Sequence, residues 1–246
     1  MKGLILAAGK GQRIFKKIKK NKCLIRVSKI TLIQKIINNF KSNYIKDIIV
    51  LTGFKKEKIK NHLKKEKIKF LNNPNFASTE MLQTMIMGLR KINEDLIISY
   101  SDIIYDDRII SKLLNFNNKD KDILLPVLTN WKKIWKIKKK GFINDAETLL
   151  MDSDNKISEI GNKIKDIKKV KSQYMGIILI PKEKIKKILK LYYSLKFKKI
   201  HLSTFLNILI KNKIIIRGLK TRHHWYEFDD MEDMKNYSAF YKKNVF

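Results

Sequence analysis

The sequence predicts an α/β fold with a mainly parallel sheet, and three observations carry that expectation. Short apolar runs alternate with segments of helical period through the first 115 residues. The first run passes without a gap from Leu4 and Ile5 into Leu6, Ala7, Ala8, Gly9, Lys10 and Gly11, and a later one ends on Ser101 and Asp102. Strands alternating with helices need crossover connections, so neighbours run parallel and ligands gather at the strands' carboxyl ends. The glycine loop and Asp102 both fall at such ends.

The elements follow in order. Residues 2–7 read as a short buried strand, and Leu32, Ile33, Ile36, Ile37 and Phe40 recur at helical spacing behind Thr31. Residues 48–51 form the next strand, Gly53 breaks the pattern, and Ile59 and Leu63 mark a charged helix before a strand at 68–71. The segment 72–79 is a loop, 81–91 a helix, 96–100 a buried strand and 109–114 a helix. Further on, strands are expected at 123–127, 174–180 and 214–217, the last ahead of the segment 225–229, with a hairpin at 147–151 and 156–160 around Asp154 and Asn155. Helices are expected at 182–193, at 203–211 and from Met231. With no repeat, linker or boundary in view, residues 1–246 read as a single domain.

Composition narrows the class. The formal charge is +32, from 55 Lys and Arg against 23 Asp and Glu, which would draw the chain to any polyanion. Only six of the 55 are arginine, however, and the lysines are spread through almost every segment rather than gathered in an arm or patch. Base readers favour Arg forks and basic patches with exposed aromatics, so nucleic acid is not the expected primary partner. The lone Cys23 excludes an internal disulfide framework and fits a reducing compartment, and no signal sequence or membrane span is legible. A cytoplasmic protein is expected.

A strand that runs into small residues and then Gly9, Lys10, Gly11, Gln12 and Arg13 exposes backbone N–H groups beside two cations, which suits phosphates. A dinucleotide-binding loop needs a third glycine where this chain has Ile14, and a P-loop needs Gly, Lys and Ser or Thr in succession. Neither pattern fits. Residues 6–13 instead resemble the opening motif of the nucleotidyltransferases that make nucleotide-activated sugars and small alcohols. Lys22, Cys23 and Leu24 resemble that family's downstream lysine motif, with Asn21 where proline is common. The resemblance implies a Rossmann-like three-layer sandwich of the GT-A-like nucleotidyltransferase type, with a small β-rich insertion for the acceptor. Residues 1–115 would be the nucleotide-binding half and 116–246 the acceptor half with the closing metal motif.

It also implies an assignment of residues. Arg13 and Lys22 would be catalytic, acting on the triphosphate and on the phosphates near the reacting centre. Leu6, Ala7, Ala8, Gly9, Lys10, Gly11, Gln83 and Ser101 would bind the nucleotide. Mg2+ is the expected cofactor, since it is taken by one or two carboxylates together with substrate phosphates. Asp102 resembles the family's strand-end aspartate, with Ser101 in the place of the usual glycine. Trp225, Tyr226, Glu227, Phe228 and Asp229 look like its closing motif, which makes Asp229 the second metal ligand and Glu227 the alternative. Asp229 and Asp230 also stand where a helix before Met231 needs a cap.

The segment 72–85, with Asn75, Phe76, Ser78, Thr79, Met81 and Thr84, resembles the cytidylyltransferases acting on phosphocholine and related compounds, which often carry Asn where this chain has Glu80. The partners so implied are a nucleoside triphosphate, CTP in the first place, and a phosphorylated small-molecule acceptor. Trp131 and Trp135 would share one helix face, and Asp145 and Glu147 one strand face. With Tyr174, and with Gln173 as a further contact, they could enclose an ammonium group. Core packing for the tryptophans and solvation for the acids is the competing reading. Two other functions remain open at this point: a sugar-1-phosphate nucleotidyltransferase, and a basic binding module that has lost its chemistry.

Overall fold

A computed structural model of the chain describes residues 1–11, 16, 20–138, 146–197 and 199–241. Strand β1 (Lys2–Ala7) leads through a 3-10 turn (Lys22–Leu24) to a small hairpin, β2 (Arg26–Val27) and β3 (Ile30–Thr31), and then helix α1 (Leu32–Ser42). The Thr31 hydroxyl accepts from Gln34 N at 3.3 Å, the N-cap its position predicted. Next come β4 (Ile48–Thr52), α2 (Lys56–His62), β5 (Lys69–Asn72), α3 (Met81–Leu89), β6 (Leu96–Tyr100), β7 (Ile103–Tyr105) and α4 (Arg108–Leu114). The second half runs β8 (Ile123–Leu128), α5 (Trp131–Lys138), β9 (Glu147–Met151), β10 (Ile157–Lys163), β11 (Gln173–Tyr174) and β12 (Ile177–Ile180). It closes with α6 (Lys182–Ser194), α7 (Leu202–Lys211), β13 (Ile216–Thr221), β14 (Trp225–Glu227) and α8 (Met231–Tyr241).

One eight-stranded sheet takes in both halves, in the order β11, β8, β12, β6, β1, β4, β5, with β13 also on β8. The strands β6, β1, β4 and β5 are parallel to one another, as is the β13–β8 pair. Strand β12 runs antiparallel to both β6 and β8, so the sheet is mixed and mostly parallel. Side chains alternate across it: Ile5 and Ala7 of β1 pack into one apolar layer with α1, and Leu4 and Leu6 into the other with α3. Burial on both faces is why these strands read as continuous apolar runs rather than alternating ones.

The structure revises the expected strand at 174–180. It is broken into β11 and β12, which lie along the same edge of β8 because β13 occupies the other. Gly176 sits at the break with φ +72°, and a Cβ there would come within 2.9 Å of the Tyr100 ring. The expected strand at 214–217 lies further on, at β13. Neither β7 nor the β2–β3 hairpin was expected, since segments of two or three residues are too short for periodicity to show. No described helix is long and apolar enough to cross a membrane.

Candidate active site

The glycine loop leaves β1 at its carboxyl end and lines a cavity of about 760 Å³ with all of Leu6 through Gly11. Lys22, Cys23, Phe54, Phe76, Thr79, Glu80, Ser101 and Asp102 complete much of the wall. Gly11 has φ +58°, and a Cβ on it would lie 2.9 Å from the Lys22 Cβ, so the loop's turn and its approach to Lys22 both require glycine. Phe54 N donates to Ala8 O at 3.0 Å and the Asn21 carboxamide donates to Phe54 O at 2.7 Å, tying the loop, the lysine turn and the end of β4 together. Asn21 has φ −61° and ψ 139°, a conformation proline would also adopt.

Pairing of β7 with β14 closes the site. The antiparallel register sets Glu227 opposite Ile103, and Phe228 N donates to Asp102 O at 3.0 Å. Asp102 and Asp229, 127 positions apart by number, are thereby neighbours. The Lys22 ammonium donates to Asp102 Oδ2 at 2.7 Å and to Asp229 Oδ1 at 3.4 Å. Asp102 Oδ1 is buried and has no hydrogen-bond partner among the described residues. Asp230 Oδ1 accepts from Asp233 N while Asp233 Oδ2 accepts from Asp230 N, a reciprocal cap at the start of α8. Capping therefore falls to Asp230, and Asp233 Oδ2 also takes Asp229 N at 2.6 Å.

A buried lysine that the sequence did not single out stands behind Asp229. Lys138 is 2% exposed, with its ammonium 3.0 Å from Asp229 Oδ2 and 3.9 Å from Asp233 Oδ2. Burial opposes the charge on both lysines, but the surrounding carboxylates outweigh it and hold Lys22 and Lys138 protonated, above their ordinary range. Burial, reinforced by Asp229 and Asp102, raises the Glu227 carboxyl to about 8 against the pull of the two lysines. Burial and the nearby Asp102 charge push the Cys23 thiol up to about 12.

A second cavity of about 380 Å³ shares Glu80 and Met81 with the first. Its wall carries four acidic side chains, Glu80, Glu147, Glu227 and Asp229, with the rings of Tyr100, Tyr174, Trp135 and Trp225. Among the described residues that line it there is no lysine or arginine, in a chain of net charge +32. Glu147 is fixed by the Ser203 hydroxyl at 3.1 Å and by exchange of hydrogen bonds between its backbone and the Gln173 side chain. Burial raises the phenols of Tyr100 and Tyr174, so both are neutral donors.

The structure thus brings together Leu6, Ala7, Ala8, Gly9, Lys10, Gly11, Lys22, Ser101 and Asp102 on one cavity, and Glu147, Tyr174 and Asp229 on the adjoining one. Arg13 and Asp145 lie outside the described residues. Two expected residues do not line either cavity. Gln83 is turned to the start of α3, where its carboxamide oxygen accepts from Glu80 N at 2.8 Å. Trp131 is 1% exposed in the core, edge-on to Trp135, and it is Trp135, stacked on Trp225 at 5.9 Å, that reaches the wall. No group of three or more His, Cys, Asp or Glu suited to a metal occurs among the described residues. A cation here would rest on the Asp102 and Asp229 pair with oxygens from substrate, which suits magnesium, and the unpartnered Asp102 Oδ1 fits that use.

A glycine loop, a lysine and two converging carboxylates at the carboxyl ends of a mostly parallel α/β sheet are the arrangement of a nucleotidyl-transferring enzyme. Residues 3–161 match the MobA-like NTP transferase domain, and the chain belongs to that family. It is 29% identical to the CTP:phosphoglutamine cytidylyltransferase of Campylobacter jejuni over 96% of this chain and 98% of that protein. Two solved structures share the fold. The inositol-1-phosphate CTP transferase of T. maritima superposes with TM-score 0.77 at 17% identity, over 99% of this chain and 96% of that one. The CTP:phosphocholine cytidylyltransferase of Streptococcus pneumoniae does so with TM-score 0.73 at 19% identity, over 98% of each chain.

Proposed function

We propose that the protein transfers a cytidylyl group from CTP to a phosphorylated small molecule bearing an ammonium group, releasing pyrophosphate. The observation that carries this reading is the meeting of Lys22, Asp102 and Asp229 at the border of a glycine-loop cavity and an acid-and-aromatic one. An acceptor phosphate oxygen attacks the α-phosphorus in line, the new P–O bond forms as the α–β bridge breaks, and pyrophosphate departs with the bridging oxygen. The protein's work is positioning and charge neutralisation. Triphosphate and acceptor phosphate together bring a formal charge of about −5 to −6.

The loop from Leu6 to Gly11 and Ser101 would hold the nucleotide, with Arg13 and Lys10 on the triphosphate and Lys22 moving from the carboxylates to the phosphates at the reacting centre. Asp102 and Asp229 would hold Mg2+, which supplies a further positive charge to the phosphate oxygens. Residues 1–115 would serve the nucleotide and 116–246 the acceptor. Four acidic side chains and four aromatic rings favour a cation over the neutral hydroxyls of a hexose. The curated relative named for phosphoglutamine supports a phosphorylated acceptor that carries an amine.

Pyrophosphate release with each of the four nucleoside triphosphates, against phosphocholine, phosphoethanolamine, phosphoglutamine, inositol 1-phosphate and a hexose 1-phosphate, tests the proposal. CTP with one of the ammonium-bearing acceptors should turn over. Turnover only with a neutral sugar phosphate would refute the acceptor assignment, and silence from every pair in folded protein would refute the function.

A further inference from the structure

Lys138 is placed as few lysines are. Its ammonium is buried over the rings of Trp135 at 5.6 Å and Tyr226 at 5.8 Å, beside the carboxylates of Asp229 and Asp233 and within the field of Glu227. A desolvated ammonium is expensive unless it is paired, so its contact with Asp229 is a fixed part of the fold rather than one of many solvated lysine encounters. The two oxygens of Asp229 are therefore differently engaged. Oδ2 accepts from Lys138 on the buried side, and Oδ1 faces Lys22, which in turn reaches Asp102. Lys22 is 14% exposed on the cavity wall and can be exchanged for substrate, whereas Lys138, at 2%, has no such freedom.

We propose that Lys138 is a positioning residue that holds one oxygen of Asp229, so that the aspartate offers a bound cation its other oxygen alone and selects magnesium over calcium. The inference rests on the reading of Asp102 and Asp229 as the cation pair. Magnesium accepts single carboxylate oxygens in a tight octahedron, whereas calcium takes more oxygens and readily binds a carboxylate through both. A side chain that occupies the second oxygen denies calcium that mode and costs magnesium little.

The test is equilibrium displacement of Mn2+ from the full chain by Mg2+ and by Ca2+, followed through the paramagnetic resonance of free Mn2+. In Lys138→Met the Ca2+ affinity should rise roughly tenfold relative to that for Mg2+, the scale on which partners of metal ligands act. Loss of the lysine's charge alone would strengthen both ions equally, so an equal shift, or none, overturns the inference. The double variant Lys138→Met, Asp233→Asn removes one buried charge of each sign, and its carboxamide oxygen can still accept from Asp229 N, so it should fold and show the same change in ratio. Asp229→Ala is the control and should abolish Mn2+ binding. If binding survives there, the cation pair itself is misassigned and the inference falls with it, an outcome distinct from the equal shift.

Discussion

At the scale of single residues, Asp102 separates chemistry from stability. Replacing it with alanine removes one negative charge from a group that also contains Asp229 and Glu227, and leaves Lys22 paired with Asp229. Lost attraction and relieved repulsion offset one another, so the melting temperature should stay within about 3 °C, equivalent to about 1 kcal/mol for a chain of this size. Turnover should fall by at least about 10²-fold, as when a single transition-state stabiliser is removed. Calorimetry and the pyrophosphate assay on one preparation check both halves, and full activity in the variant would refute the assignment. Cys23 is the opposite case. With its thiol pushed up to about 12 and only 3% exposed at the wall of the larger cavity, little thiolate is present at pH 8, so dithiobis-nitrobenzoate should label it only after denaturant is added. The contrast between Lys22 and Lys138 shows what the sequence could carry at this scale. Lys22 stood out because it follows a recognisable loop at a fixed interval, whereas Lys138 lies within the lysine-rich run Lys132, Lys133, Lys136, Lys138, Lys139 and Lys140, where only the fold shows that it is buried. Trp131 and Trp135 pose the same problem, because helical spacing puts both on one face and cannot say which ring reaches the cavity.

At the scale of elements, legibility followed burial. The strands β1, β4 and β6, covered on both faces, read directly as apolar runs, with Gly53 marking the end of β4 and Thr31 the start of α1. What escaped was pairing between distant short pieces, above all β7 with β14, since three-residue strands have no period and their register exists only in three dimensions. The same holds for the seat of the β9–β10 hairpin. There Gly161 has φ +82°, and a Cβ would lie 2.8 Å from the Ser203 carbonyl carbon, a backbone atom of α7 that cannot turn aside. Gly161→Ala combines a strained backbone with that contact, so it should destabilise the protein by about 1–3 kcal/mol. Because Ser203 also holds Glu147, the hairpin's shift should disturb the smaller cavity and spare the glycine loop. The expected readout is a several-fold rise in KM for the acceptor with that for the nucleotide nearly unchanged, and equal rises in both would place the damage elsewhere.

At the scale of the whole molecule, a net charge of +32 surrounds a small cavity walled by four acidic side chains. The two substrates should therefore feel the protein differently. A triphosphate is drawn in by the long-range field of dispersed lysines, which salt screens over about 10 Å at 0.1 M. The acceptor carries an ammonium group as well as a phosphate, so its charges largely offset and that field draws it less; its ammonium is held by acidic side chains and rings at short range, where screening is weak. Raising salt from about 20 to about 200 mM should raise the nucleotide's KM several-fold while that of the zwitterionic acceptor changes by less than about twofold. The same field should give sequence-independent binding to duplex DNA that disappears over this range, as expected of dispersed lysines without base-reading forks. DNA binding that persisted at high salt would mean that the lysines form a dedicated polyanion site, and a parallel rise in both KM values would mean that the acid cavity does not screen its own ligand. The strongly basic composition would then be part of acceptor recognition rather than a background over which the acidic side chains act locally.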